Sequence, residues 1–298
     1  MAEPQVTVGI DVGGTRIKAV AVRPDGEVVD ERIEPSVGSV EALIGVVGNL
    51  IQGLAPSGAA IGISAPGIAS RDHRSIAWMR GRMEAVEGLH WQRRLDRNIW
   101  VLNDAHAAAI GESWIGAARG ASHAVVLTLG TGVGGGVILN GRLFQGATGR
   151  AGHFGHTTLN LDGPPDIVGM PGSLEDCIGN HNLHLRSDGR FRDTAELVKA
   201  AAAGDADAAE CWRRSMRGLA VGIATLVNAF DPEIVVLGGG IAECGPMLFE
   251  PLREFLDEVE WRPTGERVPV VAAKLGELAG AIGAARFAAL QTAEERAR

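Results

Sequence analysis

The 298-residue sequence predicts a duplicated α/β protein with two lobes and a cleft between them. Three observations carry this expectation. The order strand, glycine turn, strand, hairpin occurs twice, first from Val6 and again from Ala124. A third glycine run, Gly238, Gly239 and Gly240, closes the apolar segment 234–237. Helix-periodic segments alternate with these strands, so both faces of each sheet must be covered.

Residues 6–11 read as a strand that meets Val12-Gly13-Gly14-Thr15. Residues 17–22 form a second strand, Pro24-Asp25-Gly26 a turn, and residues from Glu27 a third strand. Residues 40–54 carry helical periodicity. A short strand over 60–64 stops at Pro66-Gly67, and another over 100–102 leads into a helix over 105–115. Either Asn103 or Asp104 suits the N-cap of that helix. The second repeat gives a strand over 124–129, a glycine-rich loop over 130–136, a strand over 137–139, and a hairpin at Asn140-Gly141. A long helix over 206–230 precedes the buried strand 234–237. Its apolar stretch 219–230 suits either a core or an interface.

Composition narrows the function classes. Hydrophobic residues make up 46% and charged residues 21%, a globular balance. The net charge of −8 argues against nucleic acid as the main partner, because phosphate backbones select clustered Lys and Arg. Cys177, Cys211 and Cys244 are scattered, with no CxxC pair, which fits a reducing compartment. No run of apolar residues is long enough to span a membrane, and the N-terminus lacks the basic and apolar regions of a signal peptide.

The 42 glycines are about twice the usual share, and they cluster at strand ends. Gly130-Thr131-Gly132-Val133-Gly134-Gly135 spells GxGxxG, but a strand and hairpin follow it instead of a helix. The dinucleotide reading therefore fails its context test. No GxxxxGK[ST] occurs. A glycine turn between antiparallel strands can still hold an anion, because successive N–H groups converge on one concavity. Asp11, beside Gly13 and Gly14, is placed to orient the hydration shell of Mg²⁺. Asp104, at a helix start, suits a base that takes a proton from a hydroxyl.

Together these residues resemble the ROK (repressor, open reading frame, kinase) family. The matching stretches are GIDVGGTRIKAVAV from Gly9, LNDAHAAAIGE from Leu102, and LTLGTGVGGGVILNGRLFQG from Leu127. GRAGHFGH, GMPGSLED, DPEIVVLGGG and LGELAGAIGAA follow in family order. The resemblance implies an actin-like ATPase fold, a duplicated ribonuclease H-like architecture. The expected division is an N-terminal lobe over 1–117, completed by a C-terminal helix over about 279–298, and a second lobe over 118–278. It further implies an ATP- and Mg²⁺-dependent kinase that phosphorylates a hydroxyl of a hexose or hexose derivative. Such an enzyme would be cytoplasmic and a homodimer or higher homo-oligomer, without nucleic-acid or membrane partners. Asp104 would be the catalytic base. Asn103, Gly67, His153, His156 and Glu175 would face the sugar. Asp11, Gly13, Gly14, Thr15 and Lys18 would form the first phosphate segment. Gly130, Thr131, Gly132 and Gly134 would form the second, and Gly238, Gly239 and Gly240 the adenosine-side loop.

The departures from the family are specific. Its zinc site uses one His plus CxCGxxGC; here the aligned stretch is Asp166-Ile167-Val168-Gly169-Met170-Pro171-Gly172-Ser173, without a cysteine. No structural zinc is expected. His153 stands where the family commonly has a sugar-binding Glu. WMRGRMEAVEGLHW lacks the usual Pro-Asn pair and offers Arg80 and Arg82 instead. These changes point to an altered sugar pocket. The alternatives left open are a non-catalytic sugar-binding regulator and a kinase of a non-sugar polyol.

Overall fold

The computed structural model describes residues 6–80 and 83–297. Arg82, one of the two arginines singled out above, lies outside the described residues. The chain divides into two compact units, one of residues 6–120, 142–151 and 275–297, the other of residues 121–141 and 152–274.

The first unit holds β1 (Thr7–Val12), β2 (Arg16–Val22), β3 (Val28–Pro35), β4 (Ile61–Ala65), the short hairpin strands β5 (Ile68–Ala69) and β6 (Ile76–Trp78), and β7 (Ile99–Asn103). Its main sheet runs β3-β2-β1-β4-β7. β1 pairs antiparallel with β2 and parallel with β4, and β4 pairs parallel with β7. The second sheet repeats the scheme with β8 (Ala124–Leu129), β9 (Val133–Leu139), β10 (Arg142–Phe144), β11 (Ile234–Gly238) and β12 (Val270–Ala272), in the order β10-β9-β8-β11-β12. There β8 pairs antiparallel with β9 and parallel with β11, which pairs parallel with β12. The duplication expected from the glycine turns is thus present strand for strand.

Nine α-helices occur among the described residues. They are α1 (Val40–Leu54), α2 (Trp91–Leu95), α3 (Asp104–Trp114), α4 (Leu174–Ile178), α5 (Leu183–Arg186), α6 (Thr194–Ala202), α7 (Ala206–Phe230), α8 (Pro246–Val259) and α9 (Ala279–Ala297). The period-2 pattern of β1 explains how its helices are placed. Val8, Ile10 and Val12 bury into the core that α1 covers with Leu43, Val47 and Leu50. Gly9 and Asp11 point to the other face, where Val20 and Val22 pack on Ala281, Ile282 and Ala285 of α9. That face is built for close backbone approach. A Cβ on Gly9 would stand 1.8 Å from the Ala281 carbonyl oxygen, and one on Gly62 2.0 Å from that of Ala284. Gly283 meets α3 in the same way, 1.7 Å from the Ala107 oxygen.

In the second unit the apolar stretch of α7 is core. Leu219, Ala220, Ile223, Ala224, Leu226 and Val227 are buried together with Val125, Leu127 and Leu237 of the sheet. Trp91 and Trp212 are also buried, each in its own unit. Strand β9 begins at Val133, not at residue 137 as the sequence pattern indicated. Gly134, Gly135 and Gly136 are strand residues paired with Thr128, Leu127 and Val126. Gly135 is tolerated there because other chain segments crowd it: a Cβ would lie 2.6 Å from the Phe154 ring and 2.9 Å from the Gly152 oxygen.

Candidate active site

The first unit brings Asp11, Asn103, Asp104 and Gly67 to the ends of β1, β4 and β7. Asn103 is the N-cap of α3, because its Oδ1 accepts the His106 N–H at 3.0 Å. This settles which of the two adjacent residues caps the helix, and it leaves Asp104 at the first helical position with its side chain released from capping. Asn103 Nδ2 donates to the Gly67 carbonyl at 2.9 Å and to Asp104 Oδ1 at 3.0 Å. Asp104 Oδ1 also accepts the Ala105 N–H at 2.8 Å. Among the described residues, no other residue donates to Oδ2. Burial, then the charge of Asp11, pushes the Asp104 carboxyl up to about 6 despite these hydrogen bonds. Gly67 has φ +102 and a Cβ there would stand 2.5 Å from the Trp78 oxygen, so only glycine fits.

Asp11 ends the β1 face that looks toward α9. Ser64 Oγ donates to its Oδ1 at 2.8 Å, and Lys18 Nζ lies 3.5 Å from Oδ2. Burial raises its pKa, with Lys18 and Ser64 opposing. Gly280 of α9 leaves room for this carboxyl, since a Cβ would approach it to 2.9 Å. In the adjoining turn the Gly13 N–H donates to the Arg16 oxygen, while the Gly14 and Thr15 amides carry no hydrogen bond among the described residues. Lys18, expected at the phosphates, is paired with Asp11.

The second unit has its own turn. The Gly130 N–H donates to the Gly132 oxygen at 2.9 Å, and the Val133 N–H donates to Glu175 Oε2 at 2.8 Å. The Thr131 and Gly132 amides carry no hydrogen bond among the described residues. Two adjacent unengaged N–H groups in a glycine turn are chemically able to hold an anion. Gly134 lies in β9 and faces Thr128 across the ladder. A Cβ on Gly132 would stand 2.3 Å from Glu175 Oε2, so any larger residue there would displace that side chain from the Val133 amide. Glu175 itself sits in the first turn of α4, whose N-cap is Ser173. Gly238 ends β11, and Gly239, with φ +84, passes 2.3 Å (as Cβ) from the Leu129 oxygen before Gly240 opens a 3₁₀ turn.

His153 precedes the 3₁₀ turn Phe154–His156 and is half-buried. His156 Nδ1 donates to Asp166 Oδ2 at 2.8 Å. Asp166 Oδ1 accepts the Val168 and Met170 N–H groups, both at 2.9 Å. Burial disfavours the charge of Asp166, but the bonds from His156, Met170 and Val168 outweigh it and hold the carboxyl below its ordinary value. The segment where the family places zinc is therefore tied by a carboxylate. Its donor set does not fit a closed zinc site: among the described residues no three His, Cys, Asp or Glu groups converge to hold a metal. Purified protein is expected to carry only substoichiometric zinc by metal analysis and to keep its unfolding temperature in chelator. Asp166→Ala, which leaves two backbone donors unpaired, is expected to lower unfolding free energy by about 2 kcal/mol in urea titration.

Sequence reasoning named most of these groups but missed two links. Glu175 reaching the Val133 amide joins residues 42 apart. His181, which reaches Thr131, has no motif around it. Neither carries a local sequence signal.

The fold and these turns define a two-lobed α/β kinase of actin-like type. Residues 7–291 match the family model described as ROK family. The chain is 30% identical to glucokinase of Streptomyces coelicolor over 95% of this chain and 97% of that protein. It is 31% identical to N-acetyl-D-glucosamine kinase of Aliivibrio salmonicida, over 93% and 97%. A solved structure of a ROK family glucokinase from Streptomyces griseus, in complex with glucose and AMPPNP, superposes with a TM-score of 0.80 at 29% identity, covering 96% of this chain and 99% of that one. The chain belongs to the ROK family, as a carbohydrate kinase.

Proposed function

We propose that the protein transfers the γ-phosphate of ATP–Mg²⁺ to a hydroxyl of a hexose or hexose derivative, with Asp104 as the general base. The observation that carries this reading is the state of Asp104. One oxygen is anchored by Asn103 and Ala105, the other takes no hydrogen bond from another residue among those described, and burial pushes the carboxyl up to about 6. A base with that value is ionised at neutral pH yet basic enough to accept a hydroxyl proton in the transition state. Phosphoryl transfer asks little more of a protein than this, orientation and charge neutralisation.

The remaining roles follow the chemistry of each group. The free amides of Gly14 and Thr15, and those of Thr131 and Gly132, hold phosphate oxygens. Asp11 orients the water shell of the Mg²⁺ that travels with ATP, and Gly238, Gly239 and Gly240 admit the adenosine. Asn103, Gly67, His153, His156 and Glu175 face the sugar. Glucose and N-acetyl-D-glucosamine, the substrates in the names of the relatives, are the first candidates. His153 in place of an acidic group changes which hydroxyl pattern is satisfied, and a mismatched buried polar group is strongly rejected. Three free thiols fit a cytoplasmic enzyme, and a homo-oligomer is the expected assembly. Among the described residues no helix is long and apolar enough to cross a membrane.

ADP release with ATP–Mg²⁺ across hexoses, hexosamines, N-acetylhexosamines, sugar acids and cyclitols tests the proposal. Turnover on one carbohydrate is expected. ATP or sugar binding without turnover on any member would overturn the kinase reading in favour of a sensor.

A further inference from the structure

The segment that follows α4 forms a splint behind the glycine turn of the second unit. The Asn180 N–H donates to the Gly130 oxygen, and the His181 N–H to the Thr131 oxygen, both at 2.9 Å. The His181 ring adds a second bond to the same carbonyl: Nδ1 lies 3.0 Å from the Thr131 oxygen, and Nε2 lies 2.8 Å from Asp176 Oδ1. A carbonyl and a carboxylate both only accept, so the ring donates to whichever of the two faces its protonated nitrogen. Asp176 is itself fixed. Its N–H is capped by Ser173 Oγ, and its backbone oxygen accepts from Asn182 Nδ2 and Arg186.

Peptide geometry turns this splint into an aiming device. A trans peptide points its C=O and N–H in opposite directions. The Thr131 carbonyl shares a peptide with the Gly132 N–H, and the Gly130 carbonyl shares one with the Thr131 N–H. Holding both carbonyls from behind presents both unengaged amides on the opposite side. Glu175 meanwhile engages the Val133 N–H, so that amide is not available to an anion.

We propose that His181, buttressed by Asp176, is a positioning residue that aims the Gly132 amide at a phosphate oxygen of the nucleotide. Its role is to set nucleotide affinity through the turn, not to touch the sugar. This inference rests on the kinase reading above, and the test separates the two. The probe is the non-hydrolysable analogue AMPPNP with Mg²⁺, titrated by calorimetry in the absence of sugar.

His181→Ala is expected to weaken AMPPNP about tenfold, the effect of losing one hydrogen bond that holds the turn. His181→Asn places an amide N–H where Nδ1 stood, restores the bond to Thr131, and is expected to recover most of the affinity. His181→Gln reaches toward Asp176 instead and is expected to resemble the alanine variant. Unfolding temperatures are measured alongside. In steady-state assays the alanine variant should raise KM for ATP while leaving KM for the sugar unchanged. Equal affinities for the Asn and Gln variants, losses that track unfolding temperature, or an alanine variant within about twofold of wild type would each overturn the inference while the kinase stands. Failure of the wild type to bind AMPPNP overturns both.

Discussion

Asp104→Asn is expected to lower kcat by roughly 10²–10⁴-fold and, in the same protein, to raise stability at neutral pH. The two effects share one cause. The carboxyl titrates at about 6 in the folded chain, above the ordinary value of 3.8. The folded state therefore holds a proton that the unfolded state has released between about pH 4 and 6. Stability contributed by this group declines as pH rises through that window and stays lower above it. Asparagine is uncharged throughout, and it still offers an oxygen to the Ala105 and Asn103 donors. The gain should be on the order of 1–3 kcal/mol at pH 7.5 and vanish near pH 4. Thermal unfolding of both proteins at the two pH values measures it. In the wild type, kcat/KM should fall as pH drops below about 6, with the slope of a single proton. Equal stability of the two proteins at pH 7.5 would show that Asp104 is not held in its charged form at a cost.

Gly283→Ala should destabilise the protein by about 3 kcal/mol, although helix propensity alone argues for a gain of about 1 kcal/mol. The new Cβ would lie 1.7 Å from the Ala107 oxygen and 2.4 Å from its carbon, both backbone atoms of α3. A flexible side chain could move aside; a helix backbone moves only with its neighbours. Separation of α9 from α3 also shifts the N-terminus of α3, where Asn103 and Asp104 sit, so activity should fall together with stability. Gly45 in α1 is the matched control. It is exposed, a Cβ there meets nothing within 4 Å, and Gly45→Ala should stabilise by about 0.5–1 kcal/mol. Urea unfolding of the two variants reads the contrast directly.

The contrast also shows where sequence reading reaches its limit. The helices over Val40–Leu54 and Ala206–Phe230 are legible because apolar residues repeat along one face, and the structure has them at those bounds. The start of β9 is not, because three consecutive glycines read as a loop. They are strand residues, and Gly135 in particular is crowded by Phe154 and Gly152. The helix Pro246–Val259 carries an internal proline, Pro251, which weakens its periodic signal. At the site, Asp11, Asn103, Asp104 and Glu175 could be named from their motifs. What each carboxylate binds could not. Asp104 is released by its neighbour's cap, Glu175 holds an amide of the glycine turn, and Asp166 ties a loop in which the family uses thiolates. Such pairings are decided by tertiary approach between segments that share no local pattern.

The first unit is assembled from distant parts of the chain, and this sets an order on its synthesis. Its strands leave the ribosome early, yet α9, which covers Gly9, Val20 and Gly62, follows much later. About 160 residues separate the two stretches, from Gly120 to Ala279. At 5–20 residues per second that is a delay of roughly 8–30 s. Throughout that interval the sheet face around Gly9 and Gly62 lacks the helix that packs on those glycines. The nascent first unit must wait with an uncovered apolar surface while the second unit, continuous but for one short excursion, can complete its own core. A chain stopped before α9 would lose a small fraction of its residues and the cover of Gly9, Val20 and Gly62. The length of that wait is set by how late α9 falls in the chain.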